Sequence, residues 1–172
     1  MLRDILRGED AQIAATLQVI AEAQADILLL QGFDYDLTNA ALMAYIRALS
    51  HWDIDYPYSF AAVPNAGMPT GLDMDGNGKL GEPRDAQSYG RFSGEGGMAI
   101  LSRYPIDIDA IQDFSAMLWQ DLPGALLPVT EEGPFPSAEA QTVQRLSTIG
   151  HWAVPIDVPD VGRVTIMAFP AS

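Results

Sequence analysis

A layered α/β fold is what this sequence predicts, and three observations carry the prediction. An amphipathic stretch, Ala11 to Gln24, is followed by a short unbroken apolar run, Asp26-Ile-Leu-Leu-Leu-Gln31, and then by a second amphipathic stretch, Thr38 to Leu49. Helix, buried strand, helix is the rhythm of a domain in which helices cover a sheet. A second apolar run, Gly97 to Ser102, repeats the strand signal, and two alternating stretches follow near the end. With 48% hydrophobic and 19% charged residues, the 172 positions read as one globular domain, 1–172, that buries roughly 70% of its unfolded surface.

Each element has a local reason. Asp10 can cap a helix in which Ile13, Leu17 and Ile20 fall at helical spacing, with Ala14 and Ala21 widening the stripe. The run from Asp26 to Gln31 lacks alternation and ends at Gly32, which suits a strand buried on both faces. Leu42, Tyr45, Ile46 and Leu49 share one side of the second helix. From Ser50 to Gly96 the chain is rich in Pro, Gly, Asp and Tyr. A loop of that length inside a domain is usually functional, or is ordered by something other than a sheet.

Gly97 to Ser102 reads as a buried strand ended by Arg103-Tyr-Pro105. Residues 107–142 are loop-like again, with Phe114, Leu118 and Trp119 as anchors onto the core. Val143 to Val158, kinked near Pro155, and Arg163 to Phe169 form a hairpin about Gly162. Trp52, Trp119, Trp152 and Tyr56-Pro57-Tyr58 are read as core anchors rather than a substrate platform.

Composition excludes several functions. A net charge of −14 leaves no basic face to track phosphate backbones, so nucleic acid is not expected as a partner. Cysteine is absent and only His51 and His151 are present, which removes disulfides, thiolate sites and the usual zinc sites. No run has the length of a membrane span, and Met1-Leu-Arg-Asp-Ile-Leu-Arg-Gly8 lacks the apolar segment of a signal peptide, so the compartment stays open. Gly94-Glu-Gly-Gly97 precedes a strand instead of opening a helix, and neither a Walker loop nor a nucleophile elbow occurs.

The richest run is Asp73-Met-Asp-Gly-Asn-Gly-Lys-Leu80. Alternating oxygen-bearing side chains let Asp73, Asp75 and Asn77 converge on one hard cation, with the Lys79 carbonyl adding an oxygen and Leu80 pointing inward as an anchor. The twelfth position, where a bidentate Glu usually closes the cage, is Arg84, so only Glu82 or Asp85 could substitute. Pro69, Gly71 and Pro83 do not read as helices, which makes this an EF-hand-like loop and not an EF-hand. Calcium is the favoured occupant. The alternative is a solvated cluster of Asp/Gly turns.

The order of segments resembles the endonuclease/exonuclease/phosphatase superfamily, closest to bacterial members with an Asp-rich loop of this kind. The residues that carry the resemblance are Asp26-Ile-Leu-Leu-Leu-Gln-Gly-Phe-Asp-Tyr-Asp36, Gly71-Leu-Asp-Met-Asp-Gly-Asn-Gly78, Gly97-Met-Ala-Ile-Leu-Ser-Arg-Tyr-Pro105, and Gln144-Arg-Leu-Ser147 with Gly150-His-Trp-Ala-Val-Pro155. The resemblance implies a four-layer α/β sandwich, two β-sheets faced by helices, that hydrolyses phosphoesters with a carboxylate-held Mg²⁺ or Mn²⁺. Such an ion polarises the phosphoryl oxygen and helps generate hydroxide near neutral pH.

The departures are as specific as the match. In the family the first buried strand ends in Asn-Glu or Gln-Glu, whose Glu binds the metal; here the positions are Gln31 and Gly32. The strand near the C-terminus ends in Ser-His-Pro in the family and in Ala168-Phe169-Pro170 here. An N-terminal strand bearing an Asn, and the region beyond Ser172 with an Asp/Asn pair and a last His, are expected to be missing. The chain therefore reads as a partial, truncated domain: a phosphoester hydrolase by resemblance, catalytically impaired as it stands. The alternative is a non-enzymatic, degenerate member that binds calcium or a protein partner. Exposed sheet edges would then favour self-association.

Three further sites have two readings each. Asp34 and Asp36 could reach a cation, or they are ordinary acids at a strand-to-helix junction, with Asp36 or Thr38 capping the second helix; the structural reading is favoured. Arg145 lies where the resemblance places an arginine facing phosphate, though on an alternating strand an arginine is often solvated or ion-paired. His151 could contact phosphate or act as a general acid, but the family's Asp two residues on is Ala153, and a histidine beside Trp152 is often simply packed.

Overall fold

Asp10 starts the helical layer as expected. Its carboxylate accepts the N–H groups of Gln12 and Ile13 at 2.9 Å each, and α2 (Ala11–Ala23) follows, preceded by a short α1 (Leu2–Arg7). The structure, a computed structural model, describes residues 1–170, so the end at Ser172 lies outside the described residues. Then come β1 (Ile27–Phe33) and α3 (Ala40–Ser50). The second helix begins two residues later than predicted because Asn39 adopts a left-handed conformation, while the Asp36 carboxylate accepts the N–H groups of Ala40 and Ala41.

Two antiparallel sheets form the body. The first has the order β1-β3-β2, with β2 at Tyr58–Phe60 and β3 at Gly97–Ser102 in the middle. Every residue of β3 is buried, as its unbroken apolar run predicts. β1 differs from expectation. It is an edge strand, half-buried over Ile27 to Leu30, and it runs on to Phe33 through a bulge at Gly32. One uncovered flank is enough to explain the exposure.

The second sheet has the order β4-β7-β8, with β4 at Gln112–Asp113, β7 at Trp152–Val158 and β8 at Gly162–Ala168. The hairpin about Gly162 is present, pairing Val158 with Gly162 and Trp152 with Ala168. The strand predicted from Val143 starts nine residues later. Ser137 caps a helix, α4 (Ala138–Val143), by accepting the Ala140 N–H, and residues 144–149 bond to other loops. No break in register occurs at Pro155. Its carbonyl accepts from the Asp107 N–H, so the nitrogen that lacks a hydrogen faces that flank and not β8. A two-residue ladder, β5 (Val129–Thr130) with β6 (Gly133–Pro134), stands apart.

The layers are helix, sheet, sheet. On one face of the first sheet Leu28, Leu30, Ala99 and Leu101 pack with Leu17, Ile20, Leu42, Tyr45 and Leu49 of α2 and α3. On the other, Leu29, Met98 and Ile100 meet Trp152, Val154, Ile156 and Ala168 of the second sheet. Of the predicted anchors, Tyr56 and Trp152 are buried, whereas Trp52, Tyr58 and Phe114 are exposed. Trp52 and Tyr58 tolerate that position because the indole N–H and the phenol O–H can stay in water. Among the described residues no helix is long and apolar enough to cross a membrane.

Candidate functional site

The acidic loop folds around Asp73. Its Oδ1 accepts the N–H groups of Asp75, Gly76 and Asn77, and its Oδ2 accepts that of Gly78 at 2.7 Å. These bonds, that from Gly78 foremost, hold the Asp73 carboxyl below its ordinary range. Asp73, Asp75 and Asp85 offer carboxylate oxygens that all lie within 4.8 Å of one another. Three hard oxygen donors at that separation suit a divalent cation such as Ca²⁺ or Mg²⁺.

Of the two candidates for the missing twelfth ligand, Asp85 is the one in the cluster. It is buried at the end of a 3-10 turn (Pro83–Asp85), with its carboxylate accepting the N–H groups of Met74 and Glu82. Glu82 instead accepts from the Asn77 side-chain amide at 2.7 Å and pairs with the Lys79 ammonium at 3.6 Å. Asn77 turns its Nδ2 toward Asp75 and its Oδ1 toward the Lys79 N–H. Leu80 departs from its expected role: it is 67% exposed. Without flanking helices there is no apolar seat for it.

A second group gathers where the strands of both sheets end. The Gln31 side-chain amide donates to the Phe169 carbonyl at 3.4 Å, so the end of β1 meets the end of β8. The His151 ring sits between the rings of Phe169, at 5.4 Å, and Phe114, at 5.8 Å. Its backbone N–H donates to Ser115 Oγ. Asp34 accepts the Gly96 N–H, and Asp36 serves as the cap the sequence suggested. The end of β1, which carries Gly32, and Phe169, just after β8, thus share one rim.

Arg145 is half-buried, and its Nη1 donates to Asn65 Oδ1 at 2.7 Å. Gln87, two residues beyond Asp85, accepts the Arg145 N–H and donates to the Val143 carbonyl. Bridges from Ala66 to Ser88 and from Pro69 to Ala86 tie Asn65 to the same segment. The acidic loop and the arginine are therefore parts of one hydrogen-bonded scaffold. Sequence reading missed Asn65 and Gln87. In Val-Pro-Asn65-Ala-Gly an asparagine reads as a turn residue, and only its later burial marks it out.

Two cavities bear on the site. The larger, about 620 Å³, lies between the first helices and β1 and is mostly apolar, with Gly32 and Asp34 in its lining. The smaller, about 360 Å³, borders the acidic loop through Glu82, Asp85 and Arg91, and so lies nearer the cation chemistry. Comparison with known proteins adds a family assignment: residues 5–163 match the profile described as Endonuclease/Exonuclease/phosphatase family. No curated protein and no solved structure matches the chain.

Proposed function

The chain belongs to the endonuclease/exonuclease/phosphatase family, and on that premise we propose a metal-dependent phosphoester hydrolase of low turnover, with calcium in the Asp73 loop. Family membership supports phosphoester substrates, and divalent-metal dependence is typical of the family. A bound cation would supply polarisation of a phosphoryl oxygen. Asp73, Asp75 and Asp85 would hold it. Arg145 would grip a phosphoryl oxygen, and His151, partly exposed at the rim, would contact the phosphoester.

The observation that carries the low turnover is the meeting of β1 and β8 at Gln31 and Phe169. Neither Gly32 nor Phe169 has a side chain that can ligate a cation or move a proton. Gly32 has φ +70°, a conformation in which L-residues are strained, although a Cβ there would meet open space. The chain's acidity favours small phosphoesters over nucleic acid as substrates.

The test is hydrolysis of bis-p-nitrophenyl phosphate with Mg²⁺, Mn²⁺ or Ca²⁺. Slow metal-dependent turnover, reduced by Asp73→Ala, is expected. A rate near 10 per second, roughly the median for enzymes, would overturn the impairment. Calorimetric titration with calcium checks the loop separately, and no heat at millimolar calcium would leave only a cluster of turns. A second reading, a non-enzymatic calcium-binding module, draws on the same two substitutions at the rim. It predicts calcium binding with no turnover in any metal.

A further inference from the structure

Arg145 is unusual in its electrostatic setting. The chain carries 23 acidic residues against 9 basic ones. Arg103, the other half-buried arginine, meets Asp26 at 3.2 Å, and the exposed Arg163 meets Asp107 at 2.6 Å. Arg145 forms no ion pair among the described residues. Its side chain is held by a neutral amide oxygen, that of Asn65. A half-buried guanidinium without a carboxylate loses hydration and gains no countercharge, so an anion beside it would be stabilised.

Asn65 has no freedom to be anything but an acceptor toward Arg145. It is fully buried, and its Nδ2 donates to the carbonyls of Ser115 at 2.8 Å and Ser147 at 2.7 Å. Flipping the amide would set its oxygen against two carbonyls and its nitrogen against the guanidinium. The Asn65 N–H is spent on the Ile149 carbonyl, which fixes the backbone as well. An aspartate of the same shape would neutralise the arginine. An amide orients it and leaves its charge and remaining N–H groups available.

We propose that Asn65 is the positioning residue of this site, aiming Arg145 as an uncompensated cation at a phosphoryl oxygen. The inference rests on the reading above that the ligand is a phosphoester, and it concerns binding, not turnover.

The test is calorimetric titration with inorganic phosphate at constant ionic strength. The set is the wild-type chain, Asn65→Ser, Arg145→Gln and the double variant. Each single change should weaken binding about tenfold or more, the scale of one charge-assisted hydrogen bond. The double variant should bind no more weakly than Arg145→Gln alone, because Asn65 acts only through the arginine. Losses that add, an Asn65→Ser affinity within about twofold of wild type, or a wild-type chain that binds no phosphate would each overturn the proposal. If Asn65→Ser fails to fold, Asn65→Ala, which also adds no charge, is read in the same way. The wild-type Asn65 side-chain amide signals, which must shift on phosphate saturation, give a check that needs no variant; unmoved signals would overturn the proposal. Phosphate binding without hydrolysis of any phosphoester would instead sink the hydrolase reading alone.

Discussion

Asp36 shows how much one carboxylate can organise. It accepts from the N–H groups of Thr38, Ala40 and Ala41 and from the Thr38 hydroxyl, and these bonds, led by that from Ala41, bring its pKa from 3.8 to about 2. Because the folded value is depressed, the stabilisation is present above about pH 4 and is lost as pH falls toward 2. Asp36→Ala is expected to cost about 1 kcal/mol at neutral pH and to flatten the acid limb of stability. Urea melts across that range would check both effects.

Gly67 is constrained differently. Its φ is +70°, and a Cβ there would lie 1.9 Å from the Phe92 carbonyl oxygen. Gly67→Ala should cost about 3 kcal/mol or more, read as a lower thermal midpoint or failure to fold. At this scale the sequence was legible where chemistry is local. The Asp36 cap and the Asp73 turns follow from neighbours in the chain. Asn65 and Gln87 were not legible, because their side-chain partners are 50 to 82 and 56 to 58 residues away.

Among the elements, periodicity identified β3 correctly and misjudged β1, although both are unbroken apolar runs. The difference is position in the sheet, which no run of side chains records. Central β3 is covered on both faces and paired with β1 along one flank and, over Ile100 to Ser102, with β2 along the other; β1 has one open flank. Ile100→Ala, removing a fully buried side chain between the sheets, should therefore cost about 2–5 kcal/mol. Leu28→Ala, at the half-buried edge, should cost about half as much or less. Shifts in denaturant midpoint would decide. The missed helix α4 had a readable signal in Ser137 ahead of Ala-Glu-Ala-Gln, masked by its six-residue length.

For the whole molecule, charge and open edges oppose each other. β1 and β8 each end a sheet with one side unpaired, and such edges pair with other strands. A net charge of −14 resists that pairing between copies. Self-association is thus expected to be weak in dilute salt and stronger as salt screens the repulsion. Sedimentation velocity at low and high ionic strength checks this, and a monomer at both would refute it. The layered architecture was legible because helix, strand and helix succeed one another in the sequence. How the ends of β1 and β8 meet was not, since residues 31 and 169 are related only by the fold.

The burial of β3 also sets a clock for the molecule. Amide protons of Met98 to Leu101 can trade with deuterium only when both sheets come apart, so their exchange rates should all report the same global opening. Amides along the open flank of β1 need only a local breath.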